Sequence, residues 1–264
     1  VEWLGNLLPH PVILFVWMSV FLLVLSAVLS YFGISVIDPR PEGASGRSAD
    51  GTIEVVNLLN GEGLARIVEN LVTNFTGFVP LGTVLVALLG VGIAERSGMI
   101  SAALRGLVLN APKKMVTFTI VFAGIMSNTA AELGYVVLIP LAAVIFHSLG
   151  RHPLAGIAAA FAGVSGGYSA NLLLGTVDPL LSGITQEAAR IIDPAYTVGA
   201  EANWYFMMVS TFLISGLGYL VTEKIVEPSL GKYNPTDADD PSVLDTKAER
   251  VSTIEKKGLF WAGI

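Results

Sequence analysis

The tripeptide Ser127-Asn128-Thr129 places two hydroxyls and one amide in a row between two uncharged, apolar stretches. These side chains offer hard oxygen atoms that suit a small cation, and donors that could hold a substrate carboxylate. The same residue types also make ordinary hydrogen bonds between packed membrane helices, so the tripeptide alone leaves both roles open. It is the first candidate binding site.

A second polar interruption, GVSGGYSAN at positions 163–171, breaks another apolar run and is followed by Asp178-Pro179. Transporters commonly place their sites near the middle of the membrane, where interrupted helices direct dipole ends and free carbonyls at ions and anions. Two interruptions favour a binding site more strongly than one. The candidate residues of this region are Ser165, Gly166, Asn171 and Asp178.

Two carboxylates accompany the interruptions. Glu132 lies three residues after Thr129, about one helical turn, and so shares a helix face with the tripeptide. An ionisable residue inside a membrane is a functional candidate because keeping it charged costs roughly 2.5 kcal/mol or more near the centre. A structural carboxylate near the turn is the alternative for Glu132, and a helix cap before Pro179 is the alternative for Asp178.

Composition assigns these motifs to a membrane protein and excludes several other classes. Hydrophobic residues make up 53% of the chain and charged residues 14%, against roughly 25% charged in a soluble domain. The chain has no cysteine, its three histidines show no metal-ligand pattern, and it lacks a basic nucleic-acid footprint. The Gly-rich stretch is not a phosphate loop, and zinc-protease and nucleophile-elbow motifs are missing. We therefore expect neither an enzyme nor a cofactor-binding protein.

The elements that position the motifs are predicted to be membrane helices. Val12 to Ile37 is uncharged over 26 residues, and about 20 residues suffice to cross a hydrocarbon core. The loop from Asp38 to Glu69 carries six acids and three bases, whereas Glu95 to Lys114 carries four bases and one acid, which places the second segment in the cytoplasm. The predicted segments are a first transmembrane helix (1–37), an extracytoplasmic loop with an interfacial helix (38–69), a second transmembrane helix with a cytoplasmic basic segment (70–114), a re-entrant hairpin (115–150), a broken helix and outer loop (151–202), a transmembrane helix (203–222), and a cytoplasmic linker with the start of the next helix (223–264).

The stretch around the tripeptide is predicted to be a re-entrant helical hairpin. Met115 to Met126 would form only about 18 Å of helix, too short to span before the break. A hairpin that enters from the cytoplasm and returns keeps Arg151 inside, as basic residues prefer, whereas one continuous helix would put it outside. Its tip would lie at membrane depth, where irregular backbone survives only when buried in protein or lining a cavity.

The amino-acid sequence of these motifs resembles that of the AbgT family of p-aminobenzoyl-glutamate transporters. The resemblance rests on SNTAAELGYVVLIP at 127–140, FHSLGRHPLAG at 146–156, and GVSGGYSAN at 163–171 through Asp178-Pro179, and it extends over the whole chain. It implies an all-α polytopic membrane protein: a secondary transporter of two inverted repeats, each with a re-entrant hairpin and a broken helix. This chain resembles the first repeat. Because it begins at Val1 and ends as a new apolar segment starts, we expect a fragment of a longer protein.

The resemblance also implies a function. Family members are associated with p-aminobenzoyl-glutamate uptake, or with efflux of p-aminobenzoic acid and sulfonamide antimetabolites. The expectation is thus a cation-coupled transporter, a homodimer in the lipid bilayer of the bacterial inner membrane, moving a small molecule and driven by sodium or protons. A passive channel whose hairpin forms a filter is the alternative. The implied substrate- and ion-binding residues are Ser127, Asn128, Thr129, Ser165, Gly166, Asn171 and Asp178, with Glu132 as a further candidate and Asn128, Thr129, Gly166 and Asn171 as candidate sodium ligands.

Overall fold

The computed structural model describes residues 9–43, 46–130, 134–168, 170–234 and 250–263. Most of this backbone is helical, and the strands within it are the short β1 (Ser35–Ile37) and β2 (Thr52–Glu54). The α-helices are Pro11–Tyr31 (α1), Gly61–Glu69 (α2), Leu71–Thr76 (α3), Leu81–Arg96 (α4), Met99–Leu109 (α5), Val116–Ser127 (α6), Ile139–Ser148 (α7), Pro153–Phe161 (α8), Val177–Arg190 (α9), Trp204–Val221 (α10), Glu227–Leu230 (α11) and Thr253–Ala262 (α12).

Several helices have the length and composition of membrane spans. Among the described residues, Val12–Tyr31 and Trp204–Leu230 are each long and apolar enough to cross a bilayer. A third span results if α4 and α5, which meet at 62°, count as one. Gly98 permits this bend because its φ of +76° lies in the left-handed region, where other side chains are strained. The chain is therefore a helical, multi-pass membrane protein.

The chain divides into two compact units, of which the first comprises residues 1–81 and 186–197. In it, α1 is followed by an antiparallel pair of strands in which Val36 lies opposite Ile53. Helix α2 begins after Asn60, whose side-chain oxygen accepts a hydrogen bond from the amide of Gly63 at 2.7 Å. This cap satisfies one of the amides that a helix start leaves without a partner.

The second unit comprises residues 82–185 and 198–264, and α6 is its central helix. Helices α5, α8 and α10 all pack against α6. Three of its side chains, Ile120, Val121 and Ile125, have no exposed surface, and Phe146 of α7 is equally buried. Each side chain of this size contributes about 1.5–3 kcal/mol through burial. The core of the unit thus forms around the short helix that precedes the tripeptide.

The described helices differ from the predicted segments in two places. The uncharged stretch after Asn70, predicted as one helix, is divided into α3 and α4 by residues 77–80. Pro80 accounts for the break because proline lacks an amide hydrogen and disfavours helical geometry in the preceding residue. The last predicted span also continues further, because Trp204–Leu230 is helical over 27 residues and takes in part of the predicted linker.

Candidate functional site

Helix α6 ends at the tripeptide, and a short 3₁₀ turn, Asn128–Ala130, follows it. Ser127 is 1% exposed, and its hydroxyl donates to the carbonyl of Gly124 at 2.6 Å. Thr129 makes the same type of bond to the carbonyl of Met126 at 3.0 Å. Both hydroxyls therefore use their proton within the helix end, which leaves oxygen lone pairs as the groups they can offer to a ligand.

The chain reverses direction after this turn. A Cβ added to Gly134 would lie under 3.0 Å from the hydroxyl oxygen of Ser127, so the returning segment passes directly against the end of α6. We call α6 and the returning segment 134–148 the two arms. At their other end, Arg151 donates to the hydroxyl of Thr117 at 2.9 Å. Contacts at both ends make the two arms antiparallel. The candidate Glu132 falls outside the described residues.

The second interruption packs against the first arm through its glycines. After α8 the helix widens into a π-helical turn, Ala162–Gly166, and residues 170–176 are irregular. A Cβ on Gly163 would lie under 3.0 Å from the backbone of Val121, and one on Gly167 would meet Ile125 at a similarly forbidden distance. Glycine thus allows the two backbones to approach each other closely.

Two asparagines connect the interruptions reciprocally. The amide of Asn128 donates to the carbonyl of Val164 at 3.1 Å, so the end of α6 is attached to the π-helical turn. Asn171 is 5% exposed, and its amide reaches back to the carbonyl of Ile125 at 3.5 Å. Its oxygen accepts from the amide of Leu173 at 3.0 Å. The structure therefore brings Asn128 and Asn171 into one cluster, although they are far apart in sequence.

Asp178 belongs to the same neighbourhood. Its carboxylate accepts a hydrogen bond from the amide of Gly175 at 2.6 Å, just before α9. Gly175 in turn lies against the tip: a Cβ there would be 3.8 Å from the Cα of Thr129 and 3.9 Å from the carbonyl oxygen of Asn128. The carboxylate thus supports the loop at the helix start, in line with the alternative role of a helix cap, and it also lies near the tripeptide.

Two other candidates have different neighbours. The hydroxyl of Ser165 pairs with that of Tyr135 at 2.8 Å. Gly166 lines a separate cavity of about 280 Å³ with Tyr168 and Phe206. Among the described residues no group of three or more His, Asp or Glu side chains could hold a metal. Any cation at the tip would therefore be held by amide, hydroxyl and carbonyl oxygens together with Asp178, the oxygen ligands that hard cations prefer.

A polar network that the sequence did not predict lies at the base of the two arms. Arg151 donates to Glu227 at 2.9 Å, to Glu223 at 2.6 Å and to Thr117 at 2.9 Å, and its guanidinium lies 4.2 Å from the ring centre of Phe146. Burial by itself lowers the pKa of Arg151, but the hydrogen bonds to the two glutamates outweigh it and raise that pKa. Both glutamates fall in the region predicted as a linker, so only their four-residue spacing signals a shared face.

Comparison with known proteins identifies the family. A model of the AbgT putative transporter family matches residues 1–264. The p-aminobenzoyl-glutamate transport protein of Escherichia coli is 38% identical over 265 residues, which cover 100% of this chain and 49% of that protein. The matched proteins are transport proteins, which confirms the prediction that the chain is not an enzyme.

Two solved structures share the fold. One is MtrF of Neisseria gonorrhoeae, described as illuminating a class of antimetabolite efflux pumps, with 63% identity, a TM-score of 0.76, and coverage of 99% of this chain and 52% of that one. The other is the YdaH transporter of Alcanivorax borkumensis, with 44% identity, a TM-score of 0.75, and coverage of 97% and 50%. This chain spans about half the length of each. The resemblance read from the motifs is confirmed, and the chain belongs to the AbgT family of transporters.

Proposed function

We propose that the protein moves p-aminobenzoyl-glutamate, p-aminobenzoic acid or sulfonamide-like antimetabolites across the bacterial inner membrane by cation-coupled secondary transport. The observation that carries the proposal is the cluster at the chain reversal, where Asn128, Asn171 and Asp178 converge from two interrupted helices. Its support from relatives is the family match and the names of the E. coli and N. gonorrhoeae proteins.

The cluster offers oxygen atoms that are suited to a coupling ion. Asn128 uses its amide group toward Val164, so its carbonyl oxygen remains for a ligand. Thr129 donates its proton within the helix, and Asp178 has a second carboxylate oxygen beyond the one that Gly175 occupies. Hard oxygen ligands of this kind bind small cations, so we propose sodium as the coupling ion, with protons as the alternative. Asn171 and the carbonyl of Gly166 complete the proposed sodium ligands, and Ser127 and Ser165 support the two segments.

The proposed assembly follows the family resemblance. Because this chain spans about half of its relatives, we infer that a second, inverted repeat with its own hairpin completes the site. We also propose a homodimer. In the membrane the two arms would form a re-entrant hairpin, since α6 has only 12 residues and is shorter than a span.

The proposal is tested by transport into proteoliposomes, with sodium and pH gradients imposed separately. Asn128→Ala and Asp178→Asn should each lower the initial rate about 10- to 100-fold, since a hydrogen bond to a charged group is worth about 1.5–3 kcal/mol. Matched controls exist in Asn110, whose amide bonds the carbonyl of Gly106 at 2.6 Å, and in Asp193, whose carboxylate accepts from Ala195 at 3.0 Å. Asn110→Ala and Asp193→Asn should leave the rate unchanged.

Three results would contradict this proposal. Equal transport rates for the site variants and their controls would show that the ion and substrate site does not lie at the tip. Flux that never accumulates substrate against its gradient would favour a passive channel over a transporter. Transport rates that do not change with either the sodium or the pH gradient would exclude cation coupling.

A further inference from the structure

An apolar cavity of about 570 Å³ lies beside the cluster, within the second unit. The bent pair α4 and α5 forms one wall, with Ala94 and Ala103 facing inward. Phe122 and Met126 of α6 also line it. Thr129 lies at the same cavity, so the polar tip and the apolar space are continuous.

The size and lining of this cavity suit an aromatic ring. A cavity of about 150 Å³ already accommodates benzene, and ligand pockets generally measure about 300–1,000 Å³. Phe122 offers a ring for edge or offset stacking. Met126, and Met99 on α5, offer thioethers that adapt their shape and make favourable contacts with aromatic groups.

The polar neighbours favour a ligand with one apolar and one polar end. Thr129 is the polar side chain of the lining, and it belongs to the tripeptide whose Asn128 oxygen remains for a ligand. Leu172 and Leu173, which also line the cavity, immediately follow Asn171. A ligand whose ring fills the cavity would therefore present its polar end to the cluster, where an amine or amide N–H would donate to the free oxygens and a carboxylate would pair with the coupling cation. A lipid acyl chain has no hydrogen-bond donor for the oxygens that Thr129 and Asn128 leave free.

We propose that this cavity, here named the aryl cavity, binds the benzene ring of the substrate while the polar end lies at the tip. This inference rests on the proposed function, because the ligand class is that of an aryl carboxamide or aryl carboxylate. It adds the position of the ring, which neither the motifs nor the relatives' names assign. It also makes the lining of α4, α5 and α6 responsible for selecting aromatic compounds.

The first experiment uses the unmutated protein in proteoliposomes and p-azidobenzoyl-glutamate, in which a photoreactive azide replaces the amine on the ring. Illumination followed by peptide mass spectrometry should place adducts in residues 90–107 and 122–129, and excess p-aminobenzoyl-glutamate should suppress them. Because no residue is changed, misfolding cannot mimic this result. Adducts confined to other segments, or adducts that competition does not reduce, would overturn the assignment.

The second experiment fills the aryl cavity. Ala103 is replaced by Val, Leu and Phe in turn, and p-aminobenzoyl-glutamate affinity is measured on purified protein. Affinity should fall as the side chain grows, by about 10- to 100-fold for Ala103→Phe, the range expected for burying a group the size of an aromatic side chain. Ala87→Phe is the matched control, since Ala87 lies two turns from Ala94 on α4 and outside the cavity lining.

The outcomes separate the two proposals. If the unmutated protein binds and moves the compound, and the filled variants do so equally well, the aryl cavity is wrong and the proposed transport stands. Loss of copurified phospholipid from the filled variants, with unchanged affinity, would show that the cavity holds an acyl chain and would overturn the inference. If the unmutated protein neither binds nor moves the compound, both proposals fail.

Discussion

Replacing Arg151 with methionine should destabilise the second unit, because it removes the centre of the network at the base of the two arms. The guanidinium connects the start of α6, through Thr117, with Glu223 and Glu227 at the end of the long span. Methionine keeps the apolar contact with Phe146 but leaves two like-charged carboxylates without a counter-ion. The loss therefore combines missing hydrogen bonds with repulsion between the glutamates.

The size of the effect follows from the exposure of the three groups. Exposed ion pairs contribute about 0–1 kcal/mol, whereas breaking a fully buried pair costs about 3–5 kcal/mol. The side chains of Arg151, Glu223 and Glu227 are 21%, 28% and 24% exposed, which places them between these limits. We expect the free energy of unfolding to fall by about 2 kcal/mol.

Unfolding of the protein in mixed detergent micelles measures this loss. Arg151→Lys should recover part of it, because lysine restores the charge but cannot form the forked contact with Glu227. The double variant Arg151→Met with Glu227→Gln should lose less than the sum of the single variants, because one unpaired carboxylate has gone. Arg190→Met is the matched control: its pair with Glu187 at 3.3 Å is exposed, so it should cost about 0–1 kcal/mol.

If Arg151→Met changes the free energy of unfolding by less than about 0.5 kcal/mol, the range of ordinary surface substitutions, the network does not stabilise the unit. Equal losses for the Arg151 and Arg190 variants would show that the network is no stronger than a surface pair. Strict additivity in the double variant would show that Arg151 and Glu227 do not interact.

Two further predictions concern backbone approach and titration. Gly163→Ala should lower the free energy of unfolding by about 1–3 kcal/mol, because its methyl group would meet the backbone of Val121. Gly166→Ala is the control: a Cβ there has nothing within 4 Å, so the change should be neutral or slightly stabilising. Equal effects of the two variants on unfolding would disprove the close approach. The hydrogen bond from Arg40 lowers the pKa of Asp38 to about 2, so its contribution to stability is present above the ordinary value of 3.8 and is lost as the pH falls towards 2. A carboxyl carbon NMR titration of Asp38 should show this low midpoint, and Arg40→Gln should return it towards 3.8.

Much of the organisation of this chain could be predicted from local sequence. Uncharged runs of span length identify membrane helices, because a charge in the hydrocarbon core is costly and backbone groups there must bond within a helix. The tripeptide and the Gly-rich stretch mark interruptions, and in the structure α6 ends at Ser127 and the π-helical turn ends at Gly166. Long motifs also suffice to identify the family, since many residues match at fixed spacing.

Tertiary structure alone decides which of these residues meet. Asn171 bonds a carbonyl 46 positions earlier, and Arg151 bonds a glutamate 72 positions later. Periodicity describes the faces of one helix, but the partner of a polar group depends on which helices pack together and how closely their backbones approach. For that reason the sequence indicates Asn128, Asn171 and Asp178 as candidates, while their convergence, the network of Arg151 and the aryl cavity emerge only when α6 is packed at the centre of its unit.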